Sequence, residues 1–358
     1  MADGDQIPPM FDMAKEASEA LGYHFHLPDQ ENHRIARVSH GQKSVLLEYD
    51  RCYPINNCSS VAIVDDKSLT SKVLSSINVK TPRGSDFYVQ QGFSEQLSHN
   101  FWKVKGYLLK QPAHALEHAA KLGYPVFVKP NDGTFGNLAQ TVASPIELTE
   151  ALRGIAQQYP TARIEEVVQG YEHRIYVLNG RVVFSYRKRP LTVTGDGRQT
   201  FHALLEALHH ERSHIIGIAN VSEKFINQQL AEQGLTRRSV LPKGATIALS
   251  PNANPNEGTY IDDFRREVPP ACSRWATRIA EALNLNACGI DMFAPGTLND
   301  HPNTFTVIEV NGNPLLTTIE KLGYRQLAVE IWQEVLQTYF QDRLTKTRPL
   351  RRQRRICW

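Results

Sequence analysis

The chain has 358 residues, 41% of them hydrophobic and 22% charged, enough to bury a sizeable core and to build two or three subdomains. Its first residues, MADGDQIPPM, lack a basic n-region and an apolar h-region, and no run approaches the ~18 apolar residues of a membrane span, so nothing argues for export and a cytoplasmic setting is expected. The net charge of +3 is modest, and its concentration in a basic end, with seven Lys or Arg and no acid from Arg343 onward, reads as a solvated tail rather than a nucleic-acid surface.

Five scattered cysteines, Cys52, Cys58, Cys272, Cys288 and Cys357, are odd in number and lack CxxC spacing, which argues for reduced thiols rather than a disulfide frame. The first sixty residues are weakly patterned, and Tyr23, His24 and His26 read as part of an exposed loop. Next, "DDKSLTSKVLSSINVKTPRG" places Leu69, Val73, Leu74 and Ile77 on one helical stripe, with Asp65 or Asp66 as its cap and Pro82 beyond its end. "YPVFVKPNDGTFGN" gives a strand from Pro125 to Lys129 followed by a Gly-rich turn. "SPIELTEALRGIAQQY" opens a helix with Ser144 as N-cap, Pro145 at the first helical position and Glu147 completing a capping box.

Further on, "HRIYVL" and "RVVFSY" are strands joined by a tight turn at Asn179-Gly180. "FHALLEALHHER" is helical, "CSRWATRIAEALNL" is a helix with Trp275, Ile279 and Leu283 on one face, "CGIDMF" and "FTVIEVN" are strands, and "LAVEIWQEVLQTYF" is a closing helix. This irregular mixture predicts α+β subdomains rather than one doubly wound sheet.

Two constellations carry chemistry. Lys129 ends an apolar strand and runs into a loop with Gly133 and Gly136, where backbone N–H groups can close over phosphate oxygens while the lysine adds a point charge; G-x-x-x-x-G-K-[ST] is absent. On the strand Thr306 to Asn311, residues two apart share a face, so Glu309 and Asn311 point the same way. If "GIDMF" is its antiparallel neighbour, Asp291 joins them, and three oxygen ligands suit Mg²⁺.

The ordered series "DDKSLTSK", "VFVKPNDGTFGN", "IEEVVQGYEHR", "VTGDGRQT", "GIDMF" and "VIEVNGNP" resembles the ATP-grasp carboxylate-amine ligases from about Val61 to Tyr339. The likeness is strongest with the ATP-grasp module of cyanophycin synthetase and bifunctional glutathione synthetase. The resemblance implies an ATP-grasp fold with two α+β subdomains clasping ATP. It divides the chain into an N-terminal region 1–60, a pre-ATP-grasp segment 61–115, a subdomain 116–166 with the Gly-rich loop, a C-terminal subdomain 167–340 with the metal site, and the basic tail 341–358. It implies that Lys67 and Lys129 contact nucleotide phosphates and that Asp132, Gly133, Thr134, Phe135 and Gly136, with the rest of the loop to Asn137, fold over them. Glu165 and the backbone of Glu166 and Val167 would read the adenine edge, and Glu172 the ribose hydroxyls. Asp291, Glu309 and Asn311 would hold two Mg²⁺ ions, with Mn²⁺ as an alternative. Arg187, Lys188 and Arg189 lie where this family puts a cation near the reacting phosphoryl group.

Two departures stand out. D-alanine:D-alanine ligases carry an arginine where this chain has Gly289, so the charge must come from "YRKRP" or Arg174. "NGNPLL" replaces a small-residue turn near the acceptor site, so substrate choice is not inherited. The activity implied is ATP-dependent amide-bond formation through an acyl phosphate, releasing ADP and phosphate, on small-molecule acid and amine substrates; no membrane or nucleic-acid partner is expected, and a homodimer is left open.

Three rival readings stand beside this one. "HERSH", His210 to His214, matches the H-E-x-x-H of zinc peptidases, but Asn220 is a poor third ligand and Arg212 puts charge at a usually uncharged position. A non-catalytic nucleotide-binding module conflicts with the presence of all three metal ligands and both lysines. A ligase adding amino acids to a protein terminus lies within the same superfamily; free amino-acid or peptide-like substrates are preferred to it.

Overall fold

A computed structural model of the chain describes residues 7–49, 53–89, 112–133, 136–210, 215–216, 221–250, 253 and 258–341, and elements are numbered among these. The basic tail from Arg343, loop residues Thr134 and Phe135, and all of the HERSH motif but His210 lie outside the described residues. The chain divides into two compact units, 1–57 with 315–358, and 58–314.

The first unit opens with α1 (Pro9–Ala20), whose Met10, Phe11, Met13, Ala14 and Ala17 are fully buried. Three antiparallel strands follow in the order β1 (His24–His26), β2 (Ile35–His40), β3 (Lys43–Glu48). Ala36, Val38, Val45 and Leu47 turn inward from β2 and β3 and alternate with outward residues, as a half-buried sheet requires. The loop expected around His24 and His26 is therefore an edge strand. Both histidines are exposed, while the ring of Tyr23 packs 4.4 Å from that of His40 and 5.0 Å from that of Phe340. Strands of three to six residues carry too few alternations to stand out in sequence.

In the second unit, α2 (Cys58–Asp65) leads into α3 (Lys67–Ser76). Asp66 caps α3, its carboxylate accepting from the N–H groups of Ser68 and Leu69 at 2.9 and 3.0 Å. A four-stranded sheet, ordered β4 (Gly84–Tyr88), β7 (Thr161–Glu166), β5 (Val126–Pro130), β6 (Gln140–Val142), is covered on one face by α4 (Pro112–Leu122) and α5 (Pro145–Ala156). At the start of α5 the N–H of Glu147 donates to Ser144 Oγ at 3.2 Å, and Glu147 Oε2 accepts from the N–H of Ala143 at 2.9 Å. The capping box thus forms, shifted one residue outward.

A six-stranded antiparallel sheet follows, ordered β11 (Ile215–Ile216), β13 (Thr259–Arg265), β9 (Arg181–Pro190), β8 (Tyr171–Leu178), β14 (Ala287–Ala294), β15 (Thr306–Asn311). Asn179 and Gly180 join β8 to β9 with φ of 47° and 76°, the left-handed pair that matches strand twist in a two-residue turn. Between β9 and β13, the two strands β10 (Thr192–Thr194) and β12 (Thr246–Ala248), with α6 (Phe201–His210) and α7 (Glu223–Glu232), bury Phe201, Leu205, Ile226, Leu230 and Ile247 in a core of their own. α8 (Pro270–Ala282) packs Cys272, Trp275, Ala276 and Ile279 into a core with Ile175, Val177, Ile290 and Met292.

The chain returns to the first unit with α9 (Thr317–Lys321) and α10 (Arg325–Phe340). There the fully buried Trp332 stacks on Tyr53 with ring centroids 5.4 Å apart. Arg325 gathers Asp12 (2.6 Å), Glu16 (2.9 Å) and Glu320 around one guanidinium. The closing helix therefore belongs with the N-terminal region, whereas the sequence boundaries grouped it with 167–340. Among the described residues no helix is long and apolar enough to cross a membrane, and Cys58, Cys272 and Cys288 are free thiols.

Candidate functional site

Strand register assembles the site. On one face of the six-stranded sheet, Tyr186, Arg174, Asp291 and Glu309 stand directly opposite one another across β9, β8, β14 and β15. In the adjoining row Lys188 faces Glu172, and in the row on the other side Gly289 faces Asn311. Antiparallel alternation puts all of these on one side and the apolar Ile175, Val177, Ile290 and Met292 on the other.

The charges on this face are tightly paired. Arg174 grips Asp291 with two parallel hydrogen bonds, Nε to Oδ1 at 3.0 Å and Nη2 to Oδ2 at 2.5 Å. Lys188 Nζ lies 3.2 Å from Asp291 Oδ1 and also pairs with Glu172. Asn311 Nδ2 donates to Asp291 Oδ2 at 3.3 Å. Burial works against the ionised Asp291, but Arg174 and Lys188 more than offset it and hold the carboxyl below the usual range. Burial pushes Glu172 upward despite Lys188, and the neighbouring Asp291 adds to the rise. Glu309 is the freer carboxylate: its side chain is 34% exposed, with Lys67 Nζ 3.8 Å away.

Gly289 explains how Arg174 gets there. A Cβ built at this position would lie 3.5 Å from Arg174 Nε and 3.2 Å from Pro314 Cβ, so a large side chain at 289 and this arrangement of Arg174 compete for the same space. The cation expected from either "YRKRP" or Arg174 is met on this face by Arg174 and Lys188. Arg187 and Arg189 are excluded from it by alternation. Both turn to the opposite face, where they pair with Asp262 at 2.7 and 2.9 Å and lie over the rings of Tyr171 and Tyr260.

The four-stranded sheet brings a second charged face. Lys129 Nζ lies 2.6 Å from Glu165 Oε1, and Arg163 Nε donates to Glu165 Oε2 at 2.8 Å. Arg163 Nη1 reaches Asp86 at 3.1 Å. Glu165, expected to read an adenine edge, is 3% exposed with both oxygens occupied by cations. The N–H of Glu166 likewise already donates to the carbonyl of Arg83 at 2.9 Å, and its carboxylate pairs with Arg83 at 2.6 Å. Of that expected set, Val167 lies just past the end of β7.

Lys67, the first residue of α3, ties these parts together. Its Nζ donates to the carbonyls of Gly133 at 2.9 Å and Asn131 at 3.3 Å, anchoring the Gly-rich loop beside Glu309. Burial holds its ammonium below the usual lysine range, Glu309 opposes that, and Lys129 adds to it. Lys67, Ser71, Arg163, Glu165 and Glu309 line a cleft of about 310 Å³ counted with its open mouth. Asp132 and Gly133 on one side and Gly136 on the other bracket the two loop positions outside the described residues.

Asp291, Glu309 and Asn311 fit a hard divalent cation in donor type, being oxygen ligands on one face of neighbouring strands. Among the described residues no three His, Cys, Asp or Glu side chains gather as metal ligands, so the set is two carboxylates and an amide. Sequence reasoning missed Arg163, Asp86 and Tyr186. Arg163 sits two residues before Glu165 on a strand, a same-face spacing that could have flagged it; Asp86 and Tyr186 join through register alone.

No family model matches the chain. A glutathione biosynthesis bifunctional protein from Desulfotalea psychrophila is 25% identical over 305 residues, covering 82% of this chain and 36% of its own length. A cyanophycin synthetase from a Synechocystis species is 26% identical over 322 residues, covering 87% of this chain and 32% of its own. The chain thus spans about a third of the length of the curated relatives it matches. Among solved structures, a bifunctional glutathione synthetase from Pasteurella multocida superposes with a TM-score of 0.59 at 20% identity, covering 94% of this chain and 44% of that one. The chain therefore has the ATP-grasp fold, and its resemblance to the ATP-grasp carboxylate-amine ligases stands on sequence and structure alike.

Proposed function

We propose that the chain is an ATP-dependent ligase that joins a carboxylate to an amine through an acyl phosphate, releasing ADP and phosphate. The observation that carries this reading is the row Arg174–Asp291–Glu309, continued by Lys67 to the carbonyls of the Gly-rich loop. Glutathione and cyanophycin in the names of the relatives support it, as does the shared fold.

The chemistry follows from charge. A carboxylate is a poor electrophile, and converting it to an acyl phosphate means bringing an anion onto the terminal phosphorus of a more highly charged one. Lys67, Lys129, Arg174 and Lys188 supply the countercharge, and the Gly-rich loop supplies N–H donors and excludes water. Bound Mg²⁺, in one or two ions and replaceable by Mn²⁺, would be held by Asp291, Glu309 and Asn311 and would neutralise phosphate oxygens. An amine then attacks the carbonyl carbon; the C–O bond to phosphate breaks, phosphate leaves and the nitrogen loses a proton. Small-molecule acids and amines of amino-acid type are the substrates proposed.

A screen for ADP release across amino acids and small carboxylic acids, singly and in pairs, names the partners by double dependence. With ¹⁸O in the acid's carboxylate, label is expected in the released phosphate. AMP as the nucleotide product, or unlabelled phosphate in a verified coupling, overturns the acyl-phosphate route.

A further inference from the structure

The buried charges of the four-stranded sheet present a physical problem. Asp86, Arg163 and Lys129 stand opposite one another across β4, β7 and β5, with Glu165 two residues along on β7. Lys129, Arg163 and Glu165 are each under 9% exposed. The group holds two cations and two carboxylates and is neutral as it stands. If Lys129 grips nucleotide phosphate, as the proposed function has it, it must turn from Glu165. A buried carboxylate that loses its only cation is strongly destabilising. Glu165 has a second cation: Arg163 holds the oxygen that Lys129 does not, through Nε, while Asp86 fixes the other end of the guanidinium.

We propose that Arg163 is a positioning residue for nucleotide binding: anchored by Asp86, it stays on Glu165 as counter-ion and so frees Lys129 to move to the phosphates. Arg163 acts through Lys129 and makes no contact with the nucleotide itself. Its planar guanidinium suits the task, because it can hold Glu165 and Asp86 at once, each through a different nitrogen. The inference rests on the proposed nucleotide site, and the controls separate the two.

Binding of Mg²⁺-ATP to the full chain is measured by titration calorimetry, with thermal melts alongside. Wild type is expected to bind, and Arg163→Met to bind about tenfold more weakly, because Lys129 is then the sole partner of Glu165. Arg163→Lys should recover part of that loss. In a Lys129→Met background, Arg163→Met should add nothing, since the residue it serves is gone. Should Arg163→Met fail to fold, Asp86→Asn serves instead: it loosens the anchor, and a severalfold weakening is expected that likewise vanishes without Lys129. Unchanged affinity in the folded Arg163 or Asp86 variant overturns the inference, as do losses that multiply with Lys129→Met, which would make Arg163 a direct contact. Absence of binding by wild type overturns the nucleotide reading, and this inference with it.

Discussion

Asp291 and Glu309 face each other across two strands, yet their surroundings predict different penalties for losing charge. Glu309 is partly exposed and has one distant cation at 3.8 Å. Glu309→Gln should abolish ADP formation while shifting the melting temperature by no more than a few degrees, because a near-isosteric change there strands no buried charge. Asp291 is the shared partner of Arg174 and Lys188, and Asp291→Asn strips Arg174 of its paired carboxylate while leaving Lys188 with Glu172 alone. That variant should lose activity and about 3 kcal/mol of stability in urea unfolding; wild-type stability in Asp291→Asn would show that the pairing contributes little.

His173 makes the pH prediction. It is 2% exposed, neither ring nitrogen has a hydrogen-bond partner among the described residues, and burial pushes its pKa down to about 4, with Asp263 opposing and Arg187 adding to the depression. The imidazole is therefore neutral in the fold, while the unfolded chain takes up a proton near the ordinary value. Its contribution is fully present above about pH 6.5 and is lost as pH falls toward 4, by at most about 3 kcal/mol. His173→Leu should flatten that part of the stability profile between pH 7.5 and 4.5; an unchanged slope would mean that other groups carry it.

The local elements show how far short-range chemistry reaches. Ser144, Pro145 and Glu147 announce α5, and the capping box is there. Ser144→Ala should cost about 1 kcal/mol, read as faster hydrogen exchange in the first turn of α5. The Asn179-Gly180 turn was equally legible, and the cap of α3 was narrowed to Asp65 or Asp66, of which the structure uses Asp66, because caps and tight turns are decided within four residues. β1 was not, since a three-residue strand owes its existence to pairing with β2 rather than to its own pattern. Strand alternation also sorts "YRKRP": Lys188 faces Asp291, and its two arginine neighbours cannot. The pattern was in the sequence, but which face mattered depended on the register with β8.

At the scale of the whole chain, binding should appear as stability. Mg²⁺-ATP at a hundredfold excess over its dissociation constant should stabilise the protein by about 2.7 kcal/mol, read as a rise in melting temperature. Lys129→Met should reduce that rise while leaving the unliganded melting temperature close to wild type, because the substitution keeps most of the apolar stem and Arg163 still holds Glu165. An equal rise in the variant would make Lys129 a structural residue.

The sequence by itself determined the α+β class, the helices α3, α5, α6 and α8 and the strands β5, β8, β9, β14 and β15 of the second unit, and the shared face of Glu309 and Asn311, because hydrophobic period, caps and turns are local and strand alternation is strict. It also carried the ATP-grasp resemblance, through six short motifs in order. Only the tertiary structure decided that α10 belongs with the N-terminal region, that Arg174 from β8 lies beside Gly289 of β14, and that Glu165 is locked between Lys129 and Arg163 instead of facing open space. The first two, and the Lys129–Glu165 pair of the third, turn on contacts between residues tens to hundreds of positions apart. Register, burial and charge pairing then choose among side chains that local chemistry leaves equivalent.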